Sequence, residues 1–301
     1  MESYLTECTL CSSTSFTLLT GYENAGLVRC NSCRTVFTRI IPTEERLIWI
    51  YKNYPRVPAV SETTKKRYHE ILDKLESFRK TNRLIDVGCG EGFFLVEAKK
   101  RGWDVYGTEY SSVYIEDCSR KGIQMFQGEL GNVPLEPGSF DVIVTIEVFE
   151  HLRNPLNETI LFNKMLRDGG ALYLTTPNFN ALSRYILKKN WSIICFPDHL
   201  FYFTPKSLNH LLQRNGFKKK YLITEGISVE RIRQYLRKRK GNAPAKIPGQ
   251  VSLDLVWQAE IEKRTGLRIL KKIVNTILKV TGTGDGMKSL FVKNNTNSGK
   301  K

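Results

Sequence analysis

A chain of 301 residues that is 41% hydrophobic has enough apolar material for a sizeable core, and no apolar run reaches the ~20 residues that span a bilayer. The start, Met1-Glu-Ser-Tyr4, lacks the basic and apolar segments of a secretory signal, so a cytoplasmic protein is expected. The net charge of +16 is uneven: residues 1–220 carry 29 Lys and Arg against 24 Asp and Glu, and residues 221–301 carry 17 against 6. The C-terminal excess points to anionic partners, whether nucleic acid, anionic lipid or phosphorylated substrate.

Four of the seven cysteines lie in the first 33 residues. Cys8-x2-Cys11 and Cys30-x2-Cys33, with 18 residues between them, have the spacing of a four-thiolate zinc site in which two knuckles close a tetrahedron. Short ribbon strands are expected at 15–19, 27–29 and 35–39. Residues 1–41 are too few for a core of their own, so the metal would supply the folding energy. A zinc held by four thiolates has no open position, and its role would be structural. Residues 42–80 read as a linker with a short helix and aromatic anchors (Trp49, Tyr51, Tyr54). A helix over 61–79 follows, with Ile71, Leu72, Leu75 and Phe78 at helical spacing.

Residues 81–225 alternate strand and helix. Leu84, Ile85 and Val87 end a buried strand, Gly88, Gly90 and Gly92 follow at alternate positions, and a helix begins at Phe93. A strand broken by glycines lets the backbone approach a ligand at a helix N-terminus. A dinucleotide site needs G-x-G-x-x-G; here the third glycine comes one position early, and Asp86 precedes the first. That acid would repel a pyrophosphate and attract an amino or sulfonium group. Further strands are expected at 104–108, 123–127, 140–146 and 171–175, the last after a helix stop at 166–170. Glu109 ends the first of these strands, 21 residues beyond Gly88, where a carboxylate meets ribose hydroxyls in nucleotide-binding sheets. The alternation implies a parallel sheet with ligands at the carboxyl ends of its strands, and Asp86, Glu109, Glu129 and Glu147 all fall there.

The D-x-G-x-G-x-G form of residues 86–92 resembles motif I of class I S-adenosylmethionine-dependent methyltransferases. Ser139 to Leu152, Leu166-Arg-Asp-Gly-Gly170 and Thr176-Pro-Asn178 look like the same family. Trp191, Pro197 to Pro205 and Leu211 to Phe217 are similar to a narrower group, the bacterial methyltransferases with an N-terminal four-cysteine zinc ribbon found in polysaccharide, lipopolysaccharide and antibiotic-sugar biosynthesis. The resemblance covers residues 8 to 225, and residues 284–293 resemble the final strand of that fold. It implies an α/β architecture: a Rossmann-like class I methyltransferase sheet flanked by helices, a small zinc ribbon before it, and a basic helical insertion before the last strand. It also implies that Gly88, Gly90 and Gly92, with Cys89 between them, bring backbone to the methionyl part of S-adenosylmethionine. Asp86 would orient its amino group, Glu109 with Tyr110 would hold the ribose, and Glu129 and Leu130 the adenine.

A hydroxyl or carbon acceptor must also lose a proton, and histidine is the base best poised near neutrality. Of the four histidines, His69 and His210 fall in amphipathic helices and read as surface or packing residues. His151 and His199 are the candidates. Phe196-Pro-Asp-His-Leu-Phe-Tyr-Phe203 resembles the Tyr-x-Glu-His-x-x-Tyr-Phe stretch of zinc-containing sugar C-methyltransferases, whose histidine is the proposed base; Phe196 and Asp198 replace the Tyr and Glu here. If helical, Glu147, Glu150 and His151 share one face, which suits a divalent cation as in the Glu-x-x-Glu-His of quinone O-methyltransferases. Otherwise Glu147 would face cofactor or acceptor.

In the basic segment 226–293, residues 231–240 hold six cations, and a loop (241–249) and a helix (251–262) come next. In the helix over 267–280, Leu270, Ile273, Val274, Ile277 and Leu278 form one apolar face. It suits peripheral contact with the anionic inner membrane, or packing on the sheet or a second subunit. Residues 294–301 read as a disordered tail. The function expected is methyl transfer to a small-molecule, sugar or lipid-linked glycan acceptor in cell-surface polysaccharide biosynthesis. An RNA methyltransferase and a non-catalytic binding module of the same fold are the alternatives.

Overall fold

The computed structural model describes residues 3–52, 56, 59–239 and 265–295. The expected loop 241–249, the helix 251–262, Tyr54 and the tail beyond 295 lie outside the described residues.

The N-terminal ribbon consists of β1 (Ser3–Tyr4), β2 (Phe16–Leu18), β3 (Leu27–Cys30), β4 (Val36–Thr38) and β5 (Ile40–Ile41). Two helices, α1 (Glu44–Lys52) and α2 (Glu62–Leu75), lead to the main sheet. Ser61 starts α2 by accepting the Thr64 N–H on its side chain, which satisfies one of the orphan donors of the first turn. Strand and helix then alternate through β6 (Arg83–Val87), α3 (Phe93–Lys100), β7 (Asp104–Glu109), α4 (Ser112–Arg120), β8 (Gln124–Gln127), β9 (Phe140–Ile146), α5 (Pro155–Met165) and β10 (Leu166–Pro177). The chain closes with α6 (Leu182–Leu187), β11 (Phe201–Tyr202), α7 (Pro205–Arg214), β12 (Phe217–Glu225), α8 (Val229–Arg239), α9 (Thr265–Thr281) and β13 (Gly286–Lys293).

Seven strands form one sheet in the order β12-β13-β10-β9-β6-β7-β8. The pairs from β10 through β9, β6 and β7 to β8 are parallel, and β13 runs antiparallel between β10 and β12. This is a Rossmann-like sheet with the basic insertion between its last two strands. Phe140, Val142, Ile143 and Val144 of β9 are fully buried, as a parallel strand covered on both faces requires. Residues 166–170 enter β10 instead of merely stopping a helix; the ladder to β9 shifts register between Leu166 and Ala171, and this irregular entry brings Arg167 to Asp141.

Two expectations need correction. The ribbon is not a separate unit held by metal alone. β11 joins it, giving a second sheet in the order β11-β4-β3-β2, and Cys8, Val28, Cys30 and Phe37 share one apolar cluster with Phe201, Phe203, Leu208 and Leu211. A segment too small for its own core has borrowed the core of its neighbour. The apolar face expected on α9 also divides in two. Leu278 is buried and Val274 half-buried, whereas Ile269, Leu270, Ile273, Ile277 and Val280 are 53–84% exposed. The packed side is fixed at the end of β12, where the Thr224 hydroxyl donates to the Leu278 carbonyl at 2.7 Å and the Gly226 N–H to Asn275 Oδ1 at 3.1 Å. Among the described residues no helix is long and apolar enough to cross a membrane.

One buried carboxylate ties the sheet to its approach. Asp141 in β9 is fully buried; its Oδ2 accepts the N–H groups of Lys80, Thr81 and Asn82 at 2.7, 2.7 and 2.8 Å, and its Oδ1 accepts Arg167 Nε at 2.5 Å. Burial alone would raise its pKa, but these donors outweigh burial and hold it below the usual carboxylate range. Asp141→Ala leaves Arg167 and three amides without their acceptor and should cost about 3–5 kcal/mol in urea unfolding. A depressed pKa also fixes the sign of the pH effect: the stabilisation is full above the ordinary carboxylate pKa and disappears as pH falls through the lowered value. The variant's deficit should shrink in the same direction.

Candidate active site

The carboxyl ends of β6 to β9 border a cleft of about 660 Å³. Asp86, in β6, is 4% exposed, and its Oδ1 has no hydrogen-bond partner. Burial, with the nearby Glu109 carboxylate, holds its carboxyl well above the usual range. A ligand bearing an ammonium or sulfonium group would return it to the anion and fits this position. Directly after β6 the chain turns through Gly88, Gly90 and Gly92 at φ of 73°, 52° and 69°. At Gly88 a Cβ would stand 2.8 Å from Val148 Cγ2, so only glycine leaves this backbone both unstrained and open to the cleft.

Glu109 is locked in place at the end of β7. Its Oε2 accepts the Gly90 N–H at 3.0 Å, and its Oε1 accepts those of Tyr110 and Ser111 at 2.7 and 3.2 Å. The lone pairs that remain suit a vicinal diol. Next to it, the Tyr110 hydroxyl donates to Glu129 Oε1 at 3.1 Å, and buried Leu130 supplies an apolar wall. Gly88, Gly90, Glu109, Tyr110, Glu129 and Leu130 all line the cleft. Cys89 and Gly92 stand behind it: Cys89 Sγ lies 4.0 Å from Met125 Sδ, and Gly92 precedes α3 with its α-carbon turned to Cys118.

Several lining residues carried no signal in the sequence, Leu47 and Glu158 among them. Leu47 of α1 is 5% exposed and closes over the cleft. Glu158 of α5 is also 5% exposed, and its Oε2 has no partner; burial first, and the Glu129 charge second, push its carboxyl up to about 7. An acid one turn into a helix reads as a solvated residue until the fold turns it inward.

At the other end, residues 147–151 form a turn and not the start of a helix, so Glu147, Glu150 and His151 do not share a helical face. Glu147, at φ 54°, stays accessible in the cleft. Glu150 turns inward, 2% exposed, and its Oε2 accepts the Thr176 hydroxyl at 2.9 Å. Burial, with the charge of Glu147 adding to it, pushes Glu150 up to about 8.

His151 lines the cleft, and its Nδ1 lies 2.9 Å from both the carbonyl oxygen and Oδ1 of Asp198. Burial works against the imidazolium, but the Asp198 hydrogen bond and the charges of Glu150 and Asp198 outweigh it and push His151 up to about 9. His199 does not line the cleft. Its ring packs edge-on against His151 with centroids 4.7 Å apart; burial first, and the His151 charge second, lower it to about 4. The two candidate histidines therefore meet, with His151 in front, and Asp198 supplies the acceptor that residue spacing did not reveal.

In the ribbon the four Sγ atoms of Cys8, Cys11, Cys30 and Cys33 lie within 4.8 Å of one another, with Cys8–Cys33 at 3.7 Å and Cys11–Cys30 at 3.5 Å. Around a zinc with Zn–S bonds of ~2.3 Å, a tetrahedron has edges of about 3.8 Å, so the donor set fits that ion.

Residues 60–221 match the family model described as Methyltransferase domain. The chain is 28% identical over 112 residues to the ubiquinone biosynthesis O-methyltransferase of Methylococcus capsulatus, covering 35% of this chain and 47% of that protein. It is 30% identical over 129 residues to the protein of the same name from Ralstonia nicotianae, covering 38% and 54%. The chain thus spans about half the length of these curated relatives. In fold it is similar to the crystal structure of an S-adenosylmethionine-dependent methyltransferase from Archaeoglobus fulgidus, with a TM-score of 0.51 at 18% identity over 76% of this chain and 94% of that one. The matched segment makes up more than half of the 301 residues and contains the glycine turn, Glu109 and His151, and on that basis the chain belongs to the methyltransferase-domain family.

Proposed function

We propose that this protein is an S-adenosylmethionine-dependent methyltransferase that methylates a hydroxyl of a small or lipid-linked acceptor, a sugar or glycan intermediate among them, with His151 as the base. The observation that carries this reading is one cleft with the glycine turn and Glu109 at one end and the Asp198-held imidazole of His151 at the other. S-Adenosylmethionine, when bound, supplies a methyl group already activated on a sulfonium. The protein's own task is alignment, which by itself can lower a barrier greatly. Asp86 takes the ligand's ammonium, Gly88 and Gly90 its methionyl backbone, Glu109 the ribose diol, and Leu130 the adenine face. Asp198 holds the His151 Nδ1 proton, which leaves Nε2 to take the proton of the acceptor.

Methylation at oxygen is supported by the two relatives named ubiquinone biosynthesis O-methyltransferase. A lipid-linked acceptor is supported by the outer stripe of α9, where Ile269, Ile273, Ile277 and Val280 are exposed with Lys272 also at the surface, a pattern suited to an anionic bilayer surface. Zinc on Cys8, Cys11, Cys30 and Cys33 would be structural, since four thiolates leave no open position.

In calorimetry with S-adenosylhomocysteine, Asp86→Ala and Glu109→Ala should each weaken binding at least ~10-fold, the loss of one hydrogen bond to a charged group; Gly88→Ala should weaken it as well. His151→Ala should retain binding yet lower kcat on the order of 10²–10⁴-fold. Unchanged turnover in that variant would remove His151 as the base. Because a base must be neutral to act, kcat/KM should rise with pH through a midpoint of about 9 and level off above it, and Asp198→Asn should move that plateau to lower pH. The wild type should also sediment with anionic vesicles and not with neutral ones, and Ile273→Asp with Ile277→Asp should abolish the sedimentation.

A further inference from the structure

The ribbon and the catalytic end of the cleft meet through a short run of backbone. In β11, Phe201 pairs with Phe37 and Tyr202 with Val36 of β4, and the Phe37 and Phe201 rings stack with centroids 5.8 Å apart. The Thr38 N–H donates to the Leu200 carbonyl at 2.9 Å. From the other side, the N–H groups of Leu200 and Phe201 both donate to the Glu150 carbonyl, at 2.8 and 3.0 Å. The segment is therefore clamped between β4 and the turn that carries His151. Its two preceding residues are anchored as well: the Asp198 and His199 N–H groups donate to the Cys195 carbonyl at 2.8 and 2.9 Å, and the Tyr202 hydroxyl to the His199 carbonyl at 3.0 Å. At the far end of β4, the hairpin from β3 closes on the Cys30–Cys33 knuckle, where the Arg34 N–H donates to the Cys30 carbonyl at 3.0 Å and the Cys30 N–H to the Thr35 carbonyl at 2.9 Å.

We infer that the ribbon is a positioning element of the catalytic centre: β4, set by the cysteine knuckle, fixes residues 198–202 and thereby the Asp198 acceptors that orient His151. Val36, Phe37 and Thr38 are positioning residues, and none of them lines the cleft. The inference rests on the reading of His151 as base, but its main readout does not depend on turnover. The cofactor end is built on β6 and β7, which lie in the other sheet, so a disturbance of β4 reaches His151 first. The charged and titratable groups facing His151 are Glu147 and Glu150 from its own turn and Asp198 and His199 from the clamped segment. Only the second pair belongs to the segment anchored on β4.

The test uses the full chain in four states: wild type, wild type stripped of metal with a chelator, Phe37→Ala, and the milder Phe37→Leu. S-Adenosylhomocysteine affinity is measured by calorimetry, and the His151 ring titration is followed by NMR, assigned with His151→Gln. In the stripped and Phe37→Ala proteins the His151 titration should fall from about 9 toward the ordinary ~6.5, with cofactor affinity changed less than ~2-fold. Phe37→Leu should shift it partway. With an acceptor in hand, kcat should fall ~10-fold or more and its pH plateau should move as in Asp198→Asn. A His151 titration that does not move in either disturbed state overturns the inference. Loss of cofactor binding together with the His151 shift, in both the stripped protein and Phe37→Leu, also overturns it, because the ribbon would then support the whole fold and not the catalytic end. If His151→Ala turns over normally, the reading of His151 as base fails while the titration result still decides the ribbon's role.

Discussion

The pairing of β11 with β4 is the constraint on which the rest of this arrangement depends. Two residues, Phe201 and Tyr202, serve two masters: they complete the ribbon's sheet and they hold the loop that faces His151. A ribbon of five short strands has little surface to bury against itself, and a two-residue strand has too few hydrogen bonds to persist alone. Together they put Phe37, Phe201 and Phe203 into one apolar cluster that continues into the main core. Each part supplies what the other lacks, and neither is a passive appendage.

The second organising feature is a set of acids whose carboxyls burial pushes above their usual range. Asp86, Glu150 and Glu158 are each at most 5% exposed, and burial is the largest cause raising each of them. Buried carboxyls without partners destabilise a fold, so their presence around a single cleft needs a compensating role. Asp86 stands behind the glycine turn, where a cationic ligand would restore its charge. Glu150 finds the Thr176 hydroxyl and the neighbouring imidazole of His151, so the cost of its burial is offset inside the protein. Glu158 has no such compensation in the described structure: its Oε2 is buried without a partner, and the residue lines the cleft together with Glu129 and Leu130. The three acids differ in partner: Asp86 lies beside the glycine turn and Glu150 beside His151, while Glu158 itself lines the cleft.

Much of this was legible in the sequence because local rules and tertiary demands agree there. The run Leu84 to Val87 followed by alternate glycines predicts a strand, a turn and a helix, and β6, Gly88–Gly92 and α3 obey it. The Cys-x2-Cys pairs predict that four thiols meet, and they do. What could not be read depends on contacts between distant segments. Spacing of i, i+3 and i+4 suggested a helical face for Glu147, Glu150 and His151, but the chain needs a turn there to carry the Glu150 carbonyl to the N–H groups of Leu200 and Phe201. Glu158 and Leu47 look ordinary in sequence because nothing local marks which side of a helix faces a cleft. On α9, apolar residues cover two sides, and a single-face reading merges the side packed through Leu278 with the one left outside.

The order of the two histidines follows from the same long-range contacts. A base needs access to the acceptor and a partner that fixes its tautomer. His199 has the motif resemblance, but its ring is behind that of His151 and its pKa is lowered to about 4 by burial and by its neighbour's charge. A proton taken by such a group would sit in the least favourable place in the cluster. His151 has the cleft on one side and the Asp198 acceptors on the other, and the same charges that raise its pKa stabilise the imidazolium formed when it accepts a proton. Neutral His199, packed edge-on, then has a simple physical use: it fills the space behind His151 without adding a second positive charge. At 198 the Asp that stands in place of Glu brings its backbone carbonyl oxygen and its Oδ1 each to 2.9 Å from the same His151 nitrogen.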